Sequence, residues 1–516
     1  MRINILIGGK AGQGINKVSE IVSGVLNKYG YFTFNYRDYP SLIRGGHNFN
    51  VLSVSDERVG SIESKLDIII ALDEKTSEIH EKDLKKTGIL IKCDKYCDIG
   101  RNLNVTLAGM LIKILGIPLE NLLEEIKNEL GKDNSDAINA GKTGYNEEKS
   151  RFNLKELNNK IEKMNGSEAI SIGAINSEIN IYLGYPMTPA TNVLHELASR
   201  EEKYGHMVFE PENEIAVANA AIGASFAGAK VMIGTAGGGY DLMTETLSFQ
   251  GMTEIPLVVY LATRPGPGTG IPTYSSQADL DVALRGGHGE FPRIVIAPGD
   301  PIECIEKVNE AFYLSEKYNV LNIVLSDKNL AESEFSSDRK PNKIIPIKIS
   351  RKVLGEGIVK ATSYEHDKFG NTTELAEIAK KCADERIKKY ENIKKECQKF
   401  QMIKMYGNPH AKNLIIGWGS TKTVILDALD SIDGSIKNKN GGWKFLQVLY
   451  MKPLSDEIKK EIEKAKKVIL IEENVTGQLG RLIREKTGIK IENRILKYDG
   501  RPFCSDKLKE EIQKIK

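Results

Sequence analysis

Three side chains carry the strongest chemical signals in this sequence: Thr188, Glu214 and Arg264. Thr188 lies in YPMTP, residues 185–189. A threonine ahead of a proline suits a helix N-cap. The same hydroxyl, beside the positive end of a helix dipole, also suits a substrate carboxylate or carbonyl. Glu214 closes the acidic run FEPENE, ahead of the small-residue helix IAVANAAIGASFAGA. Acids in a first helical turn, Glu210 and Glu212 included, are favourable to the dipole. A carboxylate at the mouth of an Ala/Gly-rich helix can also be desolvated and used in proton chemistry. Arg264 follows LVVYLAT directly, at the C-terminal end of a buried strand. Open α/β sheets bind ligands outside such strand ends. A guanidinium offers a two-pronged fork to a carboxylate. A surface salt bridge is the alternative for Arg264, and position favours the ligand.

Other motifs are weaker. Gly9, Gly12 and Gly14 form GxxGxG between a strand and a helix, where backbone N–H groups suit an anion. The spacing is not the dinucleotide fingerprint GxGxxG. An anion site and a bare tight turn stand about even. AGKTG at 140–144 is not a nucleotide P-loop, since residue 136 is Asp where a glycine is needed and no strand precedes it. His288 in GGHGEF has no neighbouring base–nucleophile set and reads as a packed loop histidine. Six cysteines stand at 93, 97, 304, 382, 397 and 504. Only Cys93 and Cys97 are close, as C-x3-C. A disulfide framework, a zinc site and a ferredoxin-type cluster are therefore not expected.

These residues need strands and helices to hold them, and the pattern supplies both. Ile3–Ile7 predicts a strand and the stretch from about Ile15 to Tyr29 an amphipathic helix, with further apolar runs to Ile91. Residues 119–165 turn polar and read as an excursion or linker rather than core. A second α/β unit runs from near Glu168 to near 330, carrying YPMTP, FEPENE, the glycine run GTAGGG and the loop RPGPGTGIPTYSSQADL. Residues 331–372 are mixed, and 373–404 predict a long helix. Between Lys380 and Lys404 there are nine Lys/Arg against four Asp/Glu, read as a solvated face rather than a nucleic-acid arm. A third α/β unit starts at Asn413, with GWGST, IEENVTGQLGRLIR and YDGRPF.

The 516 residues hold 72 Lys+Arg and 70 Asp+Glu, so no whole-chain basic field points to nucleic acid. No apolar run approaches a membrane span. The N-terminus lacks a signal-peptide core and a cleavage site, and the reading is cytoplasmic.

Taken together in their order and spacing, YPMTP, ENEIA, GTAGGG, LMTE and RPGPGTGIPT resemble the alpha subunit of 2-oxoacid:ferredoxin oxidoreductases. The resemblance continues through GWGST, IEENVTGQLGRLIR and YDGRPF. GGKAGQG and YPSLIRGGHN look like the family's gamma domain fused ahead of alpha. It implies an α/β fold in three units: a gamma-type domain (1–165), a thiamine diphosphate pyrimidine-binding domain (166–335) and, after a connecting segment (336–410), a transketolase-C-terminal-like domain (411–516). By its place in ENEIA, Glu214 matches the family glutamate that hydrogen-bonds the aminopyrimidine ring. Thr188 would bond substrate oxygens and Arg264 would clamp the carboxylate of a 2-oxoacid: pyruvate, 2-oxoglutarate or a branched-chain acid. Coenzyme A would take the acyl group and ferredoxin the electrons. A beta subunit would bring Mg2+, the diphosphate site and a [4Fe-4S] cluster, and the chain would be active only with it. Lys10 and Ala11 put in doubt any specific phosphate contact at the first glycine turn. A non-catalytic ligand-binding or partner scaffold on the same folds is the alternative. A nicotinamide dehydrogenase is weak for want of GxGxxG.

Overall fold

Ile3, Leu6 and Ile7 belong to the strand Arg2–Gly9, seven of whose eight residues are buried. It pairs antiparallel with Asn48–Ser55 and parallel with Leu66–Ala71. A run apolar on both faces belongs in the middle of a sheet, and the strand stands third of seven. The sheet runs Leu84–Lys92, Leu66–Ala71, Arg2–Gly9, Asn48–Ser55, Phe32–Asp38, Glu334–Ser337, Glu162–Asn165. We describe the protein from a computed structural model covering residues 1–42, 46–93, 102–131, 134–349, 351–359, 362–434 and 440–515. Cys97 and residues 43–45 of YPSLIRGGHN lie outside these described residues. The chain divides into two units: Met1–Met164 with Ser333–Arg339 and Phe503–Glu510, and Asn165–Glu332 with Lys340–Pro502 and Glu511–Lys516.

In the first unit the helix Ile15–Lys28 lays Val18, Ile21, Val22 and Val25 on the sheet, as its periodicity predicts. Residues 119–165 differ from the expected linker. They form the helices Leu119–Leu130 and Ser135–Glu147, and Leu122, Ile126 and Ala137 are in the core. The cause is amphipathicity that composition hides: the apolar stripe is narrow and its other face is charged. Gly141 and Gly144, the glycines of AGKTG, lie inside the second of these helices. A side chain at Gly144 would run into the backbone of Thr106 on the helix Leu103–Leu115. This string is a helix-packing surface.

In the second unit a seven-stranded sheet runs Tyr450–Lys452, Arg293–Ile296, Leu321–Asp327, Leu257–Thr263, Val231–Thr235, Ile181–Gly184, Met207–Phe209. Six of these strands are mutually parallel; Tyr450–Lys452 is antiparallel to its neighbour. A five-stranded sheet, Ile403–Gly407, Trp443–Val448, Asn413–Trp418, Lys467–Glu472, Asn493–Leu496, follows. One apolar cluster includes Leu261 and Ile323 of the first sheet with Ile416 and Leu470 of the second. The long helix appears as Ala376–Cys397, with only Ile393, Glu396 and Cys397 buried, so its charges are a solvated face. Among the described residues no helix is long and apolar enough to cross a membrane.

Candidate functional site

Parallel strands send all their following loops to the same edge of a sheet. Ile181–Gly184 leads into YPMTP, Met207–Phe209 into EPENE, Val231–Thr235 into AGGG and Leu257–Thr263 into Arg264. These four strands occupy adjacent places. Four motifs far apart in sequence therefore meet because the sheet is parallel there.

Glu214 is the first residue of the helix Glu214–Phe226. The Asn213 side chain caps that helix, accepting the Ala216 N–H at 2.9 Å. Capping thus falls to Asn213 and leaves the Glu214 carboxylate uncommitted. Glu214 is 4% exposed, and no hydrogen bond reaches its carboxylate among the described residues. The carboxylate lies over the glycine run. A Cβ at Gly239 would stand 2.8 Å from Glu214 Oε1 and would also meet the Thr235 hydroxyl. Glycine is needed there because the carboxylate fills the space a side chain would take. On the segments that flank this buried acid and the glycine run, three large apolar side chains are exposed: Phe209 is 52% exposed, Ile215 50% and Leu242 52%.

Arg264 is half-buried, and its Nη1 donates to the Thr188 carbonyl at 2.9 Å. Burial lowers the guanidinium pKa, while the charges of Asp279 and Glu214 raise it; arginine stays cationic throughout. The structure thus brings Arg264 and Thr188 together. Thr188 is not a helix cap: the helix Thr191–Ala198 has Ala190 at its N-cap and no side-chain cap bond. The Thr188 hydroxyl is left available, since the turn YPMTP ends before the helix begins.

Gln277 escaped the sequence reading, and it organises the loop after Arg264. Its Nε2 donates to the Trp418 carbonyl at 2.8 Å, its backbone N–H to the Glu473 carbonyl at 2.8 Å, and its Oε1 accepts from the Glu473 N–H at 3.0 Å. Asn474 Nδ2 donates to the Gln277 carbonyl, Ser275 N–H to the Gly500 carbonyl, and Arg501 lies 3.6 Å over the Tyr274 ring. GWGST and IEEN, at the ends of strands of the five-stranded sheet, and DGRPF, just after its last strand, therefore converge on one loop and pin it. The available signal was their co-occurrence with PTYSSQADL, which does not by itself reveal contact.

Two other candidates come out differently. His288 is exposed rather than packed: its backbone is held against the helix Gly237–Thr253, the N–H donating to Ser248 Oγ at 2.8 Å, while the residue itself faces solvent. At the first glycine turn, Gly12 and Gly14 have φ of 91° and 80°, conformations that favour glycine, and a side chain at Gly12 would meet nothing within 4 Å. Among the described residues no group of three or more His, Cys, Asp or Glu side chains could hold a metal ion.

Residues 172–401 match the family model described as pyruvate flavodoxin/ferredoxin oxidoreductase, thiamine diphosphate-binding. Residues 4–130 match the model described as pyruvate ferredoxin/flavodoxin oxidoreductase. The chain is 29% identical over 620 residues to the 2-oxoacid:ferredoxin oxidoreductase subunit alpha of Sulfolobus sp, covering 100% of this chain and 97% of that one. It is 31% identical to the 2-oxoglutarate synthase subunit KorA of Methanocaldococcus jannaschii, over 62% of this chain and 90% of that one. Among solved structures, the 2-oxoglutarate:ferredoxin oxidoreductase from Magnetococcus marinus superposes with a TM-score of 0.88, covering 99% of each chain at 24% identity. That likeness concerns the fold.

Proposed function

The chain belongs to the 2-oxoacid:ferredoxin oxidoreductase family as an alpha subunit, and from that premise we propose roles for the residues at the edge of its parallel sheet. The enzyme oxidatively decarboxylates a 2-oxoacid to an acyl-coenzyme A and carbon dioxide, passing the electrons to ferredoxin. Thiamine diphosphate supplies the carbon nucleophile and the electron sink for the decarboxylation.

Glu214 fits the aminopyrimidine end of that cofactor. Its side chain is 4% exposed and no protein donor bonds its carboxylate among the described residues, which leaves the carboxylate open to a ligand donor. A ring nitrogen would supply that partner, and a hydrogen bond at the Glu214 carboxylate would govern where the ring's proton sits. Arg264 turns its free N–H groups to the substrate carboxylate, while its Nη1 stays anchored on the Thr188 carbonyl. The Thr188 hydroxyl donates to a substrate oxygen. No step is assigned to a metal in this chain.

A beta subunit covers the edge, closing the cleft against water and bringing the diphosphate, Mg2+ and [4Fe-4S] sites. The exposed Phe209, Ile215 and Leu242 beside a buried acid support a protein partner there. The gamma-type first segment helps hold coenzyme A. None of the five described cysteines is in a disulfide, which supports a cytoplasmic setting.

The observation that carries this reading is the uncommitted Glu214 carboxylate at the glycine run. In the complex with the beta subunit, Glu214→Gln lowers 2-oxoacid-dependent viologen reduction by roughly 100-fold or more. A variant that folds, assembles and turns over normally refutes the assignment.

A further inference from the structure

The loop that Gln277 pins also carries Asp279, a carboxylate with no assigned role. Its side chain stands at the start of the helix Gly237–Thr253. A Cβ at Gly237 would lie 2.5 Å from Asp279 Oδ2 and 2.8 Å from its Cγ. Gly237 and Gly239 are thus both kept clear by carboxylates, Asp279 over one and Glu214 over the other. Asp279 Oδ2 is shut off from solvent and has no hydrogen-bond partner. The backbone around it is fixed. Gln478 Nε2 donates to the Ala278 carbonyl at 2.6 Å, Gln478 Oε1 accepts from the Asp281 N–H at 3.1 Å, and the Ala283 N–H donates to the Asp279 carbonyl at 3.0 Å. A well-anchored acid with an orphaned oxygen is costly unless something nearby uses it.

Among the described residues two charged groups act on it. Arg264, at the end of the strand Leu257–Thr263, attracts it; Asp241, one turn along the helix Gly237–Thr253, repels it. Glu214 acts on the same Arg264. Asp281, two residues on, is engaged by Arg285 and Arg481. Burial first, and then Asp241, push the Asp279 carboxyl up to about 6, with Arg264 opposing. The ionised and neutral forms are therefore both within reach near neutral pH.

Resting on the Arg264 clamp, we infer that Asp279 is a positioning residue for it: it balances the guanidinium while no 2-oxoacid is bound, and yields it to the substrate carboxylate by taking up a proton from solvent. The balance of charge supports this. Arg264 carries one positive charge, and a second carboxylate brought beside Asp279 raises the affinity of Asp279 for a proton. The proton returns to solvent when the substrate carboxylate leaves as carbon dioxide. Because Asp279 is mostly ionised at pH 7, the uptake is visible there, and 2-oxoacid binding weakens as pH rises through its titration.

The test is calorimetric and does not depend on turnover. 2-Oxoglutarate and pyruvate are titrated separately, at pH 7, into the assembled subunit complex stripped of thiamine diphosphate, in buffers of different ionisation enthalpy. The wild-type complex is expected to take up roughly half a proton or more per bound 2-oxoacid, and its Kd to rise about tenfold between pH 5.5 and 7.5. Asp279→Asn, which keeps the shape and removes the charge, abolishes the uptake and flattens the pH dependence. No uptake by the wild type, or equal uptake by Asp279→Asn, overturns the inference. Arg264→Ala separates the two readings. Binding unchanged by it, or no wild-type binding of either acid, defeats the clamp and this inference with it. Weaker binding in Arg264→Ala alongside persistent uptake in Asp279→Asn defeats this inference alone.

Discussion

Two strand–turn–helix junctions in this chain read alike in sequence and are built for different reasons. One is the turn Gly9–Gly14 ahead of the helix Ile15–Lys28; the other is the run ending in Gly237–Gly239, which opens the helix Gly237–Thr253. At the second, Gly237 and Gly239 are required by what lies against them, since the carboxylates of Asp279 and Glu214 occupy the space of a Cβ, while Gly238 between them faces open space. At the first, Gly12 faces open space and is required by its own backbone angle. A glycine at a helix start can therefore answer either of two needs, room for a neighbouring side chain or a positive φ.

The largest expected effect comes from filling that volume. Gly239→Ala puts a methyl against the Glu214 carboxylate and the Thr235 hydroxyl, both held on short, buried segments. The Glu214 oxygen must move, and misplacement of a reacting group by about 1 Å costs roughly 100-fold. In the complex with its beta partner, 2-oxoacid-dependent viologen reduction falls on that scale, and the apparent Kd for thiamine diphosphate rises. Normal activity would mean that the carboxylate has freedom the geometry denies it.

Much of this contrast could be read from residues alone, and some could not. Thr188, Glu214 and Arg264 announce themselves by type and position at strand ends, and the sheet's parallel order then brings their loops to one edge. The α/β class follows from the alternation of buried strands and amphipathic helices. Gln277 and Asp279 stayed hidden because their partners, Trp418, Glu473 and Gly237, are far away in sequence, and polar residues in a loop look alike until a contact singles one out. The helices Leu119–Leu130 and Ser135–Glu147 stayed hidden because few apolar residues suffice when glycines let helices approach closely. Capping misled too: Thr188 suggested a cap for the helix that follows it, which has no side-chain cap bond, while Asn213 of ENEIA caps the helix of Glu214.

Acid separates the two junctions by sign. Beside the first turn, His47 Nε2 and His80 Nε2 share a hydrogen bond at 2.8 Å, with Phe49 against both rings. Burial, then His47 and Lys82, lower the His80 pKa to about 4, well under its usual 6.5. The fold therefore favours the neutral ring. Its contribution to stability is full above pH 6.5 and is lost as pH falls toward 4. Asp279 runs the other way: its pKa is raised, so the fold favours the neutral acid, and the penalty grows as pH rises from 3.8 toward 6. Hydrogen exchange corrected for intrinsic rates reads both. From pH 7.5 to pH 5, amides around His47 and His80 lose protection while those around Gly237 and Asp279 hold or gain it. His80→Phe removes the first change and leaves the second. Parallel loss at both places would mean that the two junctions respond to acid as one.

The smallest effect expected is at Gly12, and it decides the question that the sequence leaves even. An alanine there meets no neighbour, so its cost comes only from the φ of 91°, on the order of 1 kcal/mol or somewhat more. If the turn is merely tight, Gly12→Ala lowers the denaturation midpoint of the first unit slightly and leaves the apparent KM for coenzyme A unchanged. If its backbone N–H groups cradle a phosphate, the same substitution tilts them away and raises that KM severalfold at the same modest loss of stability. The comparison favours the first outcome. Lys10 N–H is already taken by Gln13 Oε1 at 2.6 Å, and Gln13 N–H donates back to the Lys10 carbonyl at 3.2 Å. A turn that satisfies its own amides has fewer to offer an anion, whereas the Gly237–Gly239 run holds two carboxylates that no protein donor has claimed.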